Sequence, residues 1–135
     1  MANEAELSLP VGRAAVIAEI DVGNAAFLDG NLRSAMAHYE RATRALDPSL
    51  DDISHGLYEN LALARMNMNR HHAAIRAFMR ALDGAPTSRE QSLRFLIVCL
   101  LHSGKRNDAL RYMARYEAAF GPHPEPWARA ACGLE

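Results

Sequence analysis

Histidine, cysteine and the carboxylates are the side chains through which this sequence could do metal or acid-base chemistry. It holds six His, two Cys and 16 Asp+Glu. Adjacent His71 and His72 could begin a metal site, but a site needs three or four ligands at suitable spacing, and neither flank supplies them. His71-His72 therefore reads as helix packing, at least one ring half-buried. His38, His55, His102 and His123 are scattered one to a segment, which assigns them to surface or groove positions. Cys99 and Cys132 form no C-x-x-C and read as small core residues in a reducing compartment. Asp51-Asp52 reads as a solvated loop and Glu40-Arg41 as an exposed helix face. There is no H-E-x-x-H, G-x-S-x-G, G-x-x-x-x-G-K-[ST] or G-x-G-x-x-G. The expectation is a protein that is not an enzyme, with no catalytic residue, metal or cofactor.

Charge narrows the partners. Lys+Arg number 15, for a formal net charge of −1 over 135 residues, and Arg65, Arg70, Arg76, Arg80, Arg89 and Arg94 are interleaved with carboxylates. A protein that grips nucleic-acid backbone carries a basic excess, so no nucleic acid is expected. The start, MANEAELSLP, lacks the basic and apolar regions of a signal peptide. The longest apolar run, Phe95 to Leu101, is far short of the ~20 residues that span a bilayer. These features imply a cytoplasmic protein without membrane insertion.

The elements that carry these residues repeat. Segments beginning near Gly23, Tyr58 and Leu93 align on Ala35, Ala74 and Ala109, spaced by 39 and 35 residues. Met36, Ile75 and Leu110 follow each Ala, and Tyr39, Phe78 and Met113 stand four residues after it. Within Ala74, Ile75, Phe78, Ala81 and Leu82 the apolar positions make one stripe of helical period. Each segment reads as two helices around a turn: Asp29-Gly30-Asn31, Asn67 to Arg70, and Ser103-Gly104-Lys105, where Gly or Asn admits a left-handed helix end. Pro48, Pro86 and Pro122 close the second helices, Ser88 with Gln91 has capping-box spacing, and Pro48 to Ile53 lengthens the first connection.

Helix pairs of this period, with small residues at fixed points and a closing Pro, resemble the tetratricopeptide repeat. The second copy matches best, through Tyr58, Leu61, Ala62, Ala74, Phe78, Ala81 and Pro86. The first has Glu19 where a large aromatic is usual, and the third has Ile97 and Tyr116 at two positions that are normally small. The resemblance implies an all-α fold, a right-handed superhelical stack of antiparallel helix pairs. It places repeats at 16–48, 55–86 and 90–122 and a capping helix at 125–133, with Trp127 covering the open end.

In that family the first helix of each repeat lines a concave groove. The resemblance puts Ile17, Ile20, Asn24, Phe27 and Leu28 there from the first repeat, Gly56, Glu59, Leu63, Met66 and Asn67 from the second, and Gln91, Arg94, Val98, Leu101 and His102 from the third. Members that hold a C-terminal carboxylate use a clamp of Asn and basic residues. Asn24 and Asn60 match two clamp positions, but Ile20, Gln91 and Phe95 replace the basic ones, so acidic C-terminal tails are not the expected ligand. The leading function is a non-enzymatic adaptor or chaperone-like module that binds an amphipathic or apolar protein segment. The alternatives are a scaffold that homo-oligomerises through its ends, a chaperone similar to those of bacterial type III secretion, and a module of a longer regulator or enzyme.

Overall fold

The computed structural model describes residues 9–84 and 89–134. Among the described residues seven helices follow one another: α1 (Arg13–Leu28), α2 (Leu32–Arg44), α3 (Asp51–Asn67), α4 (His71–Leu82), α5 (Glu90–His102), α6 (Arg106–Phe120) and α7 (Pro126–Ala131), with a short 3-10 turn at Pro48–Leu50. No strand occurs among the described residues. Pairs α1/α2, α3/α4 and α5/α6 pack in turn, each second helix also meets the next first helix, and α7 returns to α5. This is the all-α, right-handed superhelical stack of antiparallel helix pairs, with one core running its length.

The turns inside the pairs are built alike. Gly30 (φ 79°), Asn69 (φ 60°) and Gly104 (φ 73°) take the left-handed conformation. The next residue then bonds back across the helix end: Asn31 N–H to Ala26 O at 2.9 Å, Arg70 N–H to Arg65 O at 2.9 Å and Lys105 N–H to Leu100 O at 2.8 Å. That six-residue closure satisfies carbonyls a helix end leaves open. Asn31 also caps α2, accepting from Ser34 N–H at 3.3 Å. Pro86 and Ser88 lie outside the described residues, and the N-cap of α5 is Arg89, which makes no side-chain cap hydrogen bond.

Shared small residues set how closely the helices approach. Ala35, Ala42, Ala62, Ala64, Ala74, Ala81 and Ala109 have no exposed surface, and Tyr39, Phe78 and Met113 fill the space they leave. In the third pair Ile97 and Tyr116 are buried. The Tyr116 hydroxyl finds a carboxylate on the partner helix, donating to Glu90 Oε2 at 2.9 Å; burial and Glu90 push its pKa to about 12.

The readings of 48–53 as a connection, of Asp51-Asp52 as a loop and of Glu40-Arg41 as an exposed face are corrected, while Asp51 and Asp52 are exposed as read. The 48–53 stretch is no extended connection: Asp47 accepts from Ser49 N–H at 2.8 Å, Leu50 is buried, and Asp51-Asp52 open α3, where carboxylates suit the positive helix end. Arg13 holds this start through Asp52 (2.8 Å) and Ser49 O (2.9 Å). Glu40-Arg41 is not a free face, since Arg41 Nε bonds Glu19 Oε1 at 2.7 Å and Glu40 lies 3.7 Å from Arg65. Glu19, in place of an aromatic, also meets His38 Nδ1 at 2.5 Å. Burial raises its pKa, but Arg41 and His38 outweigh that and hold it below the ordinary carboxylate value.

Cys99 and Cys132 are buried, as read, and burial lifts the Cys99 thiol to about 12, which keeps it protonated. The cap packs through Ala128 and Cys132, both buried, while Trp127, 44% exposed, lays its ring 5.3 Å from His102 of the last repeat.

Two glycines inside helices test the packing. A Cβ on Gly23 would lie 2.7 Å from the Tyr39 ring, which is buried and tied by its hydroxyl, while a Cβ on Gly56 meets nothing nearer than 3.9 Å. Gly23→Ala should destabilise by about 1–3 kcal/mol through overpacking. Gly56→Ala should stabilise by about 0.5–1 kcal/mol, the usual Gly-to-Ala gain in a helix. Thermal melting of both variants gives the comparison, and equal shifts would contradict it.

Candidate functional site

Between the first helices of the first two repeats runs a groove with two apolar lobes. One, of about 290 Å³, is lined by Phe27, Leu28 and Leu63 with Asn24, Tyr39 and Asn60. The other, of about 310 Å³, is lined by Ile17, Ile20, Ile53, Gly56 and Leu57, with Asp52 and Arg89 beside them and Asn60 again at its edge.

Asn60 belongs to both lobes because it forms the rung between them. Tyr39 donates its hydroxyl to Asn24 Oδ1 at 2.5 Å, and Asn60 Nδ2 donates to the same oxygen at 3.1 Å. The acceptor of Asn24 is thus satisfied twice, leaving the Asn24 amide N–H groups and the Asn60 carbonyl oxygen for another molecule. One donor beside one acceptor complements a peptide group. A carboxylate, which only accepts, complements it poorly, and Gln91 and Phe95 add no positive charge at the expected clamp positions.

The first-repeat prediction is thereby gathered into one place: Ile17, Ile20, Asn24, Phe27 and Leu28 line the groove, joined by Gly56 and Leu63 of the second. The remaining candidates are spread along the stack and largely hold it together. Glu59 accepts from the Ser92 hydroxyl of the next repeat and lies 3.9 Å from Arg89. Asn67 turns back onto Leu63 O at 2.7 Å. Met66 and Leu101 pack on the core, and Val98 is half-buried. Arg94 pairs with Glu90 at 2.9 Å and covers the Phe95 ring at 4.6 Å.

Tyr39, Asp52, Ile53, Leu57, Asn60 and Arg89 line the lobes without being among the chosen positions. Asn60 was visible through its clamp match. Ile53 was hidden by the reading of 48–53 as a connection, and Tyr39 by its place on a second helix.

The histidines are more structural than surface placement implies. His55 Nδ1 donates to Ala81 O at 2.9 Å. His123 is buried, with Nδ1 accepting Glu125 N–H at 3.0 Å and Nε2 facing Arg94 O at 3.1 Å. His102 stacks on His71, centroids 4.8 Å apart, and its other side meets Trp127 at 5.3 Å. Among the described residues no group of three or more His, Cys, Asp or Glu is placed to hold a metal, and no helix is long and apolar enough to cross a membrane.

The geometry is that of a tetratricopeptide-type stack. The sequence profile described as the bacterial transcriptional activator domain matches residues 49–126, more than half the chain. The chain belongs to that family, whose fold is tetratricopeptide-like. No curated protein sequence matches it. Among solved structures it is similar to the N-terminal domain of stress-induced protein-1 from C. elegans (TM-score 0.68, 18% identity, 98% of this chain and 97% of that one). Two structures of MamA are also similar, with TM-scores of 0.71 and 0.64 at 18% and 20% identity. They match 87% and 82% of this chain, which spans 64% and 61% of theirs. At these identities the likeness establishes the fold.

The histidine stack makes stability depend on pH. Burial, then His102 and His72, hold His71 below its ordinary value of 6.5. Its position at the start of α4 also disfavours positive charge. Its contribution to stability is therefore present above pH 6.5 and lost as pH falls through the lower folded value. The melting temperature should drop between about pH 7 and 5, and His71→Phe, which keeps a ring in the stack, should flatten that arm. An unchanged slope in the variant would contradict the assignment.

Proposed function

We propose that the chain is a non-enzymatic protein-interaction domain that seats an apolar segment of a partner between α1 and α3. The observation that carries this reading is the pair of apolar lobes flanking the Asn24–Asn60 rung. Side chains of the segment fill the lobes while one of its peptide groups bonds Asn24 and Asn60. The lobes supply the favourable burial, at about 25 cal/mol per Å² of apolar surface, and the rung fixes register and direction.

The family's description supports placing this interaction in transcriptional activation, with the chain as a module of a regulator. This refines the adaptor reading and takes precedence over the secretion-chaperone and self-assembling scaffold readings, which draw on no feature of the groove.

Panning a random peptide library against the domain tests the proposal. Selected peptides should carry two apolar residues on either side of a free peptide group. Leu28→Asp and Asn60→Ala should each weaken them at least tenfold, about 1.4 kcal/mol, without lowering helicity. Leu28 is 85% exposed, so its substitution spares the core. Peptides that bind both variants as they bind the parent would place recognition elsewhere.

A further inference from the structure

The fold separates charges that are mixed in the sequence. The second helices of the pairs, α2, α4 and α6, carry eight Arg against Glu40, Asp108 and Glu117, while α1, α3 and α5 carry Arg13, Arg65 and Arg94 against six carboxylates. The near-zero net charge, on which the expectation against nucleic acid rests, thus hides a layer of net +5 on the second helices, which the first helices and the residues outside both layers, at −3 each, offset.

On α4 and α6, and at the residue that precedes each, cations stand in register. Counted from the shared Ala74 and Ala109, Arg70 corresponds to Lys105, Arg76 to Arg111 and Arg80 to Arg115. All six are exposed, because α4 and α6 turn their apolar faces (Ala74, Ile75, Phe78 and Ala109, Met113, Tyr116) inward. Arg76 and Arg80 are one turn apart, as are Arg111 and Arg115, which places each pair about 6 Å apart along its helix.

We propose that this outer face binds the phosphate backbone of duplex DNA, with the two columns Arg70, Arg76, Arg80 and Lys105, Arg111, Arg115 as its contacts. A regular array of cations on a rigid scaffold matches a regular, rigid polyanion better than it matches an irregular acidic peptide. Five of the six cations are Arg, whose planar fork fits phosphate oxygens bidentately. Met79 and Phe120 are the only large apolar side chains of α4 and α6 that are exposed, so the face offers little to a hydrophobic protein surface or to a bilayer interior. Contacts of this kind hold the backbone without reading sequence.

Tyr58 and Asp108 orient the array. Arg80 donates to the Tyr58 hydroxyl at 3.2 Å and lies 4.9 Å from the centre of that ring, Arg115 lies 5.5 Å from the Tyr112 ring, and Arg111 is held by Asp108 at 2.5 Å. At the foot of α4, Arg65 lies close enough to Arg70 and Arg76 to feel both charges, and Glu40, 3.7 Å from Arg65, offsets part of them there.

Fluorescence anisotropy with a short labelled duplex of arbitrary sequence tests the proposal. Binding should weaken with log salt at a slope of about −5, six phosphates at ~0.9 each, with dissociation constants of about 10⁻⁴ to 10⁻⁶ M at physiological salt. Arg76→Glu with Arg115→Glu should lose at least tenfold in affinity while melting as the parent does, and Leu28→Asp should bind DNA as the parent does. Three results would each overturn the proposal: no salt-dependent binding, a double variant that binds like the parent, and tighter binding of polyglutamate or anionic vesicles than of duplex.

Discussion

The contact of the Tyr39 ring with Gly23 joins the core of the first repeat to its groove. The helices can close only because Gly23 has no side chain, and the ring that enters the gap carries a hydroxyl at its far edge. Buried, that hydroxyl needs a partner, and Asn24 provides it from the residue next to the glycine. Asn24 in turn receives Asn60 from the following repeat. One close approach thus packs two helices, orients an amide in the groove and ties the first repeat to the second.

The same economy recurs along the stack with different side chains. Glu59 and Ser92 join the second repeat to the third, and His123 joins the segment before the cap to the Arg94 carbonyl. Each is a polar side chain on a surface that meets the next repeat, satisfied there rather than by water. Many of the first-helix positions that define a groove in this fold therefore serve as joints, and the groove proper is confined to the α1–α3 side, where the two apolar lobes remain open.

The fold was legible in the sequence because its determinants are local and repeated. The Ala35, Ala74 and Ala109 register, the apolar stripe of the second helices and the Gly or Asn turns each announce themselves within a few residues, and the structure places all three turns where they were expected. The groove was half legible. Ile20, Asn24, Phe27, Leu28 and Leu63 follow from helix position alone, whereas Tyr39 joins them through an interhelical hydrogen bond with no signature in spacing. Likewise Asp51-Asp52 are solvent-exposed as their type suggests, but the pairing of Asp52 with Arg13, 39 residues earlier, has no signature in spacing. Charge segregation was invisible for a related reason: composition sums the cations, and only the pairing of helices sorts them by layer.

The rung between the lobes is the feature on which the functional reading turns, and the side-chain amides of Asn24 and Asn60 report on it directly. Nitrogen-15 correlation spectra recorded while a selected apolar peptide is added should show those two amides, and the backbone signals of Ile17, Ile20, Phe27 and Leu63, shifting together to one saturation curve. A peptide that saturates while these signals stay in place, with shifts gathered instead on α4, α6 or α7, would contradict the account.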